Sequence, residues 1–349
     1  MYVEAPATHS HVASRPVLQD RLARPLHDLR LSVTDRCNFR CTYCMPKEIF
    51  GAAHPFLPKS EVLSFEELTR AARLFLSLGV EKIRLTGGEP LLRRNLPDLV
   101  GALAPLDGLK DLTLTTNGSA LAPLARPLRQ AGLRRLTVSL DALEDSIFRA
   151  MNDVDFPVHR VLTGIDAALE AGFTPIKINM VVKRGLNENQ ILPMADRFRG
   201  PHFVLRFIEY MDVGNSNGWR LDDVVPASEI LGILRSQFEL TPISPLYPGE
   251  VARRFQHANG GEIGLISSVS QPFCRGCTRA RLSADGQFYT CLFASRGHDV
   301  RALLRSDLTD EQIADLLHAI WSDRADRYSE LRSAATQSRP KVEMSRLGG

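Results

Sequence analysis

The sequence predicts an α/β protein built on an incomplete (β/α)6 barrel of the triosephosphate-isomerase type, followed by a β-rich C-terminal extension. Short apolar runs alternate with longer amphipathic runs about six times between residues 29 and 210. This alternation indicates a parallel sheet with right-handed crossovers. A complete barrel needs about eight such units. We therefore expect an open barrel with its chemistry at the carboxyl ends of the strands.

The predicted strands and helices of this barrel follow one another in chain order. The strands are expected at 29–33, 82–85, 112–115, 136–140, 176–182 and 202–210. The helices are expected at 65–78, 96–106, 121–131, 161–171 and 188–198. Ser64 and Glu67 have the spacing of a capping box, and Gly79 follows the first helix. These residues mark where that helix begins and ends.

The pattern changes after about residue 240. Prolines interrupt the alternation there, and short β-like runs follow at 264–268, 279–283 and 287–291. The last two runs are joined by an Ala-Asp-Gly turn that favours a hairpin, and a helix is expected at 310–327. The first residues contain scattered prolines without a sustained period, which indicates a loosely ordered extension. The predicted division is 1–24 for that extension, 25–240 for the barrel and 241–349 for the C-terminal extension.

Composition and charge are those of an ordinary soluble globular protein. The chain has 349 residues, of which 44% are hydrophobic and 24% charged. Its net charge of +3 predicts no general attraction to nucleic acid or membranes. No apolar run reaches membrane-spanning length, and the start lacks the apolar centre of a signal peptide. We expect a cytoplasmic protein whose partners include neither nucleic acid nor a membrane.

All six cysteines fall into two triplets. Cys37, Cys41 and Cys44 directly follow the first predicted strand, and the second triplet is Cys274, Cys277 and Cys291. Disulfides are typical of small secreted chains, whereas this chain is long and shows no export signal. We therefore interpret both triplets as metal or cluster ligands.

The first triplet can hold three corners of a [4Fe-4S] cluster. Such a cluster normally takes four thiolates, so three leave one iron free for a non-protein ligand. A zinc knuckle is the alternative, but no histidine lies near enough in sequence to complete it locally. The triplet would occupy the first strand-to-helix loop, on the functional face of a β/α barrel.

A glycine-rich stretch, 86–90, follows the second predicted strand. Gly87 and Gly88 would allow backbone carbonyls to approach a small ligand closely, although a simple turn is the alternative. The cysteine spacing and this stretch together resemble radical S-adenosylmethionine (SAM) enzymes. The resemblance implies that SAM binds the free iron, and that reduction by an external electron donor yields a 5′-deoxyadenosyl radical.

The second triplet again supplies three ligands, and Arg279 and Arg281 lie beside it. A structural zinc site completed by His257 or His298 is the alternative. On a strand the two arginines project to the same face. They could clamp a phosphate chain, or they could belong to a solvated edge strand.

Arg84 lies between two apolar residues of the second predicted strand. It therefore faces the lumen if Ile83 and Leu85 face the helices. A cation inside a barrel is costly unless it meets an anion. This position predicts an anionic ligand in the lumen.

Six stretches resemble the GTP 3′,8-cyclase family, also called molybdenum cofactor biosynthesis protein A, over nearly the whole chain from about Leu22. The stretches are 28–41, 86–90, 115–118, 138–142, 206–211 and 273–283. The resemblance implies two [4Fe-4S] clusters at opposite ends of a channel. One cluster would bind SAM, and the other would bind GTP through its guanine ring.

The resemblance also implies roles for individual residues. The implied SAM contacts are Tyr43, Gly88, Ser139 and Met211. The implied GTP contacts are Arg30, Arg84, Thr115, Lys177, Arg279 and Arg281. The implied catalytic residues are Gly348 and Gly349, which would reach into the active site, whereas composition alone would indicate a frayed tail.

The implied reaction removes hydrogen from C3′ of GTP and joins C3′ to C8, giving (8S)-3′,8-cyclo-7,8-dihydro-GTP. Cyclic pyranopterin monophosphate synthase would act downstream, and a homodimer is left open. Three alternatives remain: a radical SAM enzyme with an auxiliary cluster that acts on another substrate, an iron-sulfur redox protein without a substrate, and a zinc-dependent nucleic-acid module. The near-neutral charge and the lack of a complete four-ligand site disfavour the last of these.

Overall fold

The chain folds around one mixed β-sheet with helices packed on it. The structure is a computed structural model, and it describes residues 17–247, 249–258, 260–333 and 339–348. The strands are β1 (Asp28–Ser32), β2 (Lys82–Thr86), β3 (Asp111–Thr116), β4 (Arg135–Ser139), β5 (Ile176–Val182), β6 (Phe203–Glu209), β7 (Leu240–Ile243), β8 (Arg253–His257), β9 (Glu262–Ile266), β10 (Arg279–Leu282), β11 (Gln287–Tyr289) and β12 (His298–Asp299).

The helices connect these strands or follow them. They are α1 (Phe65–Ser77), α2 (Leu96–Leu103), α3 (Leu121–Gln130), α4 (Asp145–Asn152), α5 (Val158–Glu170), α6 (Ile191–Arg197), α7 (Ala227–Arg235), α8 (Val300–Leu304), α9 (Asp310–Ser322) and α10 (Met344–Leu347). The predicted capping box of α1 is confirmed: the Ser64 hydroxyl accepts from Glu67 N, and the Glu67 carboxylate accepts from Ser64 N.

The sheet has a parallel centre and antiparallel edges. Its strand order is β12-β11-β10-β1-β2-β3-β4-β5-β6-β9-β8-β7. Strands β1 to β6 are neighbours in chain order and pair in parallel, which confirms the six predicted strands. The C-terminal part of the chain adds β10 in parallel beside β1 and β9 in parallel beside β6. The same part of the chain therefore extends both edges of the parallel sheet.

Side-chain alternation explains why the parallel sheet has one apolar and one polar face. On β5, buried Ile176, Ile178 and Met180 alternate with less buried Lys177 and Asn179. The apolar face joins the helices in the main hydrophobic core. The opposite face keeps polar side chains at equivalent positions of neighbouring strands.

Several elements differ from the sequence prediction. Helices α4 and α7 and strands β7 and β8 were not predicted. The prolines after residue 240 predict a break in the alternation, but Pro242, the first of them, lies in β7, an edge strand, where a residue without an N–H is tolerated. Helix α9 ends at Ser322 instead of continuing to residue 327, because the next polar residues enter ion pairs, such as the one between Arg324 and Asp20.

The end of the predicted N-terminal extension packs on the rest of the protein. Residues 1–16 lie outside the described residues. Leu18, Asp20 and Arg24 are buried. Asp20 accepts hydrogen bonds from Arg24 and from Arg324, and the indole nitrogen of Trp321 donates to Arg24 O. Residues 17–24 are thus tied to the segment that follows α9.

The hairpin predicted around Asp285-Gly286 is confirmed. Strands β10 and β11 pair antiparallel, with Leu282 opposite Phe288. Gly286 has φ +76°, a left-handed conformation that glycine adopts without strain. None of the helices in the described parts of the chain has the length and apolar character needed to span a bilayer.

We expect Gly286→Ala to lower the free energy of unfolding by about 1–3 kcal/mol, because the new Cβ adds left-handed strain. That Cβ would also lie 2.6 Å from Cβ of Arg301. Urea denaturation measures the change. Gly101→Ala in α2 is the control, because its Cβ meets nothing within 4 Å and alanine favours a helix by about 1 kcal/mol. A Gly286→Ala protein as stable as the parent would contradict this account of the hairpin.

Candidate active site

The polar face of the sheet borders a cavity that contains both cations and thiols. Strands β1, β2 and β10 contribute Arg30, Arg84, Arg279 and Arg281 to its wall. Strands β3, β5 and β6 contribute Thr115, Asn179, Arg206 and Ile208. The wall also includes all three thiols of the second triplet, Cys274, Cys277 and Cys291. Five of the six predicted GTP contacts are therefore brought together, and Lys177 lies outside this wall.

Adjacent strands place the arginines next to one another. Arg30 is in register with Arg84 on one side and with Arg281 on the other. Removal from water lowers the pKa of Arg30, and the charges of Arg281, Arg84 and Arg279 lower it further. The pKa of Arg84 and that of Arg281 fall to about 10, also mainly through burial. Like charges at this density favour an anionic ligand.

Four of the five arginines on this wall differ from cations at the amino ends of the strands, because they have no carboxylate partner among the described residues; the fifth, Arg206, lies 4.0 Å from a Glu250 oxygen. Lys82 Nζ lies 2.7 Å from an Asp28 oxygen, and Arg135 is paired with Asp111. Within the described ranges, no salt bridge joins Arg30, Arg84, Arg279 or Arg281 to a carboxylate. Arg84 donates instead to the Thr115 and Thr137 hydroxyls, at 2.8 and 3.1 Å. The wall thus offers positive charge to a ligand.

Lys177 belongs to the same electrostatic cluster although it does not line the cavity. Burial lowers its pKa to about 6, and the charges of Arg206, Arg135 and Arg84 act in the same direction. The amine is therefore mostly neutral at pH 7 while the cavity holds no anion.

Sequence reasoning missed Arg206 and Asn179. Within the described residues, Arg206 Nε and Asn179 Oδ1 are buried polar atoms without a hydrogen-bond partner. Both residues alternate with buried apolar neighbours on β6 and β5. The rule that placed Arg84 inside would therefore have found them too.

The second triplet is held by a buried ion-pair cluster. Arg24 Nη1 donates to Cys274 O, and Arg324 Nη1 donates to Cys277 O, both at 2.8 Å. Asp20 accepts from both arginines, at 2.7 and 3.0 Å. The backbone that carries two of the thiols is thereby fixed both to the start of the described chain and to the segment that follows α9.

Electrostatics prepare one thiol of this triplet for ligation. Burial alone would raise the pKa of Cys277, but Arg279 and Arg324 lower it to about 6. Arg279 Nη2 lies 3.3 Å from the Cys277 sulfur. The thiolate is the ligating form of cysteine, so Cys277 is ready to bind a metal centre.

The first triplet lies on a tight loop after β1. Arg40 fixes this loop by donating to Phe50 O at 2.6 Å and to Cys37 O at 2.8 Å. Burial raises the pKa of Cys41, and the charges of Asp141, Cys37 and Cys44 raise it further. The three sulfurs are thus close enough to influence one another. A bound cation or cluster would remove the cost of ionising them together.

The thiol-only donor sets fit iron-sulfur centres. No group of three or more His, Cys, Asp or Glu side chains that could share one metal ion occurs among residues the structure describes. A four-iron cluster makes a different demand, because each thiolate binds its own iron. His257 and His298, the predicted fourth ligands of a zinc site, are absent from the wall that carries the second triplet.

The four predicted SAM contacts lie in two neighbouring regions, the first-triplet loop and the carboxyl ends of β4 and β6. Tyr43 follows Thr42 in the first-triplet loop, and its hydroxyl donates to Asp141 Oδ2 at 2.7 Å. Gly88 packs against that loop, since a Cβ there would lie 2.4 Å from Arg36 O. Ser139 ends β4, where it pairs with Asn179, and Met211 lines the cavity after β6. Gly88 is thus needed for close contact between two loops. The sequence prediction explained this glycine by contact with a ligand instead.

Two buried carboxylates near these residues were also missed. Asp141 accepts from Tyr43 and from Val181 N, and burial raises its pKa to about 6. Glu89 accepts from the Thr116 hydroxyl and from Asn117 N, and burial raises its pKa to about 7. Both residues lie within stretches that the sequence analysis singled out, so their motif position was the available signal.

The C-terminal segment enters the same region. Arg281 Nη1 donates to Gly348 O at 2.7 Å. Gly348 has φ +72°, and a Cβ there would lie 2.2 Å from Thr86 Cγ2 and 2.8 Å from Ser32 Oγ. Only a residue without a side chain fits this position. Gly349, the second predicted catalytic glycine, lies outside the described residues.

Two family models match consecutive parts of the chain. Residues 31–198 match the Radical SAM superfamily, and residues 203–330 match Molybdenum Cofactor Synthesis C. A solved structure with a similar fold is SuiB of Streptococcus suis bound to S-adenosylmethionine, with a TM-score of 0.61 and 16% identity. The match covers 90% of this chain and 72% of that chain. The chain therefore has the α/β radical SAM fold with a mixed sheet.

Curated relatives are similar over almost the full length. A GTP 3′,8-cyclase of Acidothermus cellulolyticus is 58% identical over 321 residues, covering 90% of this chain and 89% of the relative. A GTP 3′,8-cyclase of Staphylococcus epidermidis is 51% identical over 340 residues, covering 96% of this chain and 100% of the relative. With its thiol triplets and cationic cavity, the chain thus belongs to the GTP 3′,8-cyclase family of radical SAM enzymes.

Proposed function

We propose that this protein converts GTP to (8S)-3′,8-cyclo-7,8-dihydroguanosine 5′-triphosphate, the first step of molybdenum cofactor biosynthesis. One observation carries the proposal beyond family membership: four arginines without carboxylate partners and the second thiol triplet line one cavity. A triphosphate supplies the missing negative charge. A nucleobase supplies nitrogen or oxygen for an iron that lacks a protein ligand.

The arginines bind and orient the nucleotide. Arg30, Arg279 and Arg281 present guanidinium groups to the triphosphate, and guanidinium groups bind phosphate oxygens in a fixed, bidentate geometry. Arg84 adds charge while its hydrogen bond to Thr115 keeps the side chain in place. Lys177 is neutral without ligand and takes up a proton when the anion arrives, because the phosphate charge stabilises its ammonium form.

Two [4Fe-4S] clusters and SAM are the proposed cofactors. Cys37, Cys41 and Cys44 hold one cluster, and Cys274, Cys277 and Cys291 hold the other. With an electron from an external donor, the first cluster and its bound SAM supply a 5′-deoxyadenosyl radical. Tyr43, Gly88, Ser139 and Met211 bind SAM, and Asp141 holds the Tyr43 hydroxyl. Gly348 and Gly349 are the proposed catalytic residues.

We also propose that the parallel sheet curves into an incomplete barrel at 25–240, with the second cluster carried by the extension at 241–349. Arg30 on β1 and Arg206 on β6 are at opposite ends of the run of six strands. Both line one cavity, which supports strong curvature of the sheet. The electron donor and the downstream synthase are proposed partners, a homodimer is left open, and a cytoplasmic location stays a prediction.

The principal rival is an iron-sulfur redox protein without a substrate. Such a protein has no use for unpaired interior arginines, which destabilise the fold. A radical SAM enzyme acting on another anionic substrate would use the same cations. Direct assay of GTP turnover separates the proposed function from both of these alternatives.

We expect the anaerobically reconstituted protein, given reductant, SAM and GTP, to form the cyclised nucleotide, detected by mass spectrometry. Arg30→Gln should raise KM for GTP about tenfold or more, because a charge-assisted phosphate contact is lost. Arg126→Gln, an exposed position on α3, is the matched control and should leave KM unchanged. Failure of the reconstituted parent protein to cyclise GTP would refute the proposed function.

We expect about eight irons and about eight sulfides per chain after anaerobic reconstitution, since each cluster has four of each. The triple substitution of Cys274, Cys277 and Cys291 by serine should leave about four irons, because only the first cluster remains. Elemental analysis measures both values. Stoichiometric zinc in the parent, lost on the same substitution, would support the structural zinc site instead.

We expect Lys177→Met to stabilise the nucleotide-free protein and to weaken GTP binding. The pKa of Lys177 is about 6 in the folded state, against 10.5 ordinarily. Between these values the unfolded chain binds a proton that the folded chain lacks, so the stability of the parent rises with pH. Lys177→Met should therefore have a free energy of unfolding about 1–4 kcal/mol higher than the parent near pH 6. This difference should vanish above pH 10.5.

Urea denaturation across this pH window measures the stability difference, with the exposed Lys59→Met as control. A difference that does not change with pH would contradict the neutral-lysine assignment. Calorimetric titration with GTP should show about tenfold weaker binding by Lys177→Met at neutral pH.

A further inference from the structure

The segment before Gly348 is anchored by two charged side chains, Lys341 and Glu343. Residues 339–348 form a C-terminal tail, which includes α10 and ends at the site. The tail runs beside residues 212–216, the loop that follows β6 and Met211. A role of this tail in catalysis rests on the proposed function. The anchoring of the tail follows from contacts that can be tested separately.

Lys341 is inserted into a buried ionic cluster. Its ammonium group donates to Asp212 O at 2.9 Å and to the Tyr328 hydroxyl at 3.2 Å, and it lies 3.3 Å from Asp212 Oδ2. The side chains of Lys341 and Asp212 are 3% and 4% exposed. Arg332 Nη2 pairs with the other Asp212 oxygen at 3.1 Å. A lysine this deeply buried must keep its acidic partner, so the contact holds the tail firmly.

Glu343 supplies the second anchor. Its carboxylate accepts from Asn215 N at 3.0 Å and from the Ser216 hydroxyl at 2.7 Å. Gly214 makes room for it, since a Cβ at that position would lie 2.2 Å from Glu343 Oε2. Asn215 completes the contact by accepting from Lys341 N at 2.6 Å. Loop and tail therefore bind each other through both backbone and side-chain groups.

The anchors lie at a fixed distance from Gly348. Glu343 is the residue from which α10 begins, and this single helical turn spans about 6 Å. Within α10, Met344 lines the cavity and Leu347 is fully buried. Val342 N donates to Ala294 O at 3.0 Å, three residues after Cys291. The tail is thus set between the loop after β6 and the segment of the second triplet.

We propose that Lys341 and Glu343 are positioning residues, which dock the C-terminal tail on the 212–216 loop and so fix Gly348 beside Arg281, Ser32 and Thr86. They act through the tail and touch no reacting atom. If they merely stabilised the fold, their loss would affect cluster content and global stability rather than the tail alone. The proposal requires a selective release of the tail.

The test uses the reconstituted full-length protein and two variants, Lys341→Met and Glu343→Gln. Trypsin cleaves after Arg346, whose following residue Leu347 is buried while the tail is docked. Intact-mass analysis under anaerobic conditions should show this cleavage about tenfold faster in each variant, because a local opening becomes easier. Exposed residues supply the matched controls, Lys59→Met and Glu311→Gln, which should match the parent.

Kinetics and iron content complete the test. We expect kcat to fall about tenfold in both variants while KM for GTP and for SAM changes less than about twofold, because a positioning group acts on the reacting geometry. Iron content should equal that of the parent. Cleavage after Arg346 at the parental rate in both variants would overturn the proposal, and so would a fall in kcat matched by an equal loss of iron.

The two proposals fail in different ways. If the parent protein forms no cyclised nucleotide, the proposed function is wrong, but the rate of cleavage after Arg346 still tests the anchoring. If the parent is active and the variants keep both a protected tail and full kcat, the anchoring role is wrong while the function stands.

Discussion

The positive charge on the polar face of the sheet is the constraint that the rest of this structure must accommodate. Arg30 lies between Arg84 and Arg281 in adjacent strands, and Arg206 adds a further charge that helps to keep Lys177 neutral. Such a cluster costs free energy in the nucleotide-free protein, because each guanidinium is removed from water and repelled by its neighbours. The apolar opposite face of the same strands offsets this cost by packing against the helices. Under the proposed function, the triphosphate binds beside these arginines and relieves their mutual repulsion.

The last third of the chain completes the site on two sides. Strand β10 brings Arg279 and Arg281 beside β1, and β9 extends the sheet beyond β6. The second thiol triplet and the tail with Gly348 come from the same part of the sequence. Two of the proposed substrate contacts, the proposed ligands of one cluster and Gly348 thus come from the same part of the chain that extends both edges of the parallel sheet. Damage to that part of the chain should alter binding and sheet structure together.

Local patterns in the sequence were sufficient to predict the parallel strands, the inward direction of Arg84 and the common face of Arg279 and Arg281. Strand alternation is a local property, and so is the spacing of each cysteine triplet. Asn179 and Arg206 obey the same alternation and could have been predicted with it. By contrast, the contact of Asp20 with Arg324 joins residues 304 positions apart. Pairing of β10 with β1 likewise joins distant residues, such as Asp28 and Arg279, so no local pattern could indicate it.

The tail anchors were unpredictable for a related reason. Lys341 and Glu343 are ordinary charged residues in a polar segment, and their importance appears only when the loop at 212–216 is placed against them. The conformation of Gly348 likewise depends on Ser32 and Thr86 from the start of the sheet. Composition indicates a frayed end, whereas tertiary contacts order it.

The ion-pair cluster of Asp20, Arg24 and Arg324 has a consequence for the newly synthesised protein. Arg324 lies 47 residues after Cys277, whose carbonyl oxygen accepts a hydrogen bond from it. Cys274 and Cys277 are therefore synthesised before the arginine that holds their backbone. Asp20 and Arg24 are synthesised early, but the ion-pair cluster is incomplete until Arg324 has been added. The backbone that carries Cys274 and Cys277 therefore reaches its final conformation only after residue 324 has been synthesised and Asp20 and Arg24 have packed against it.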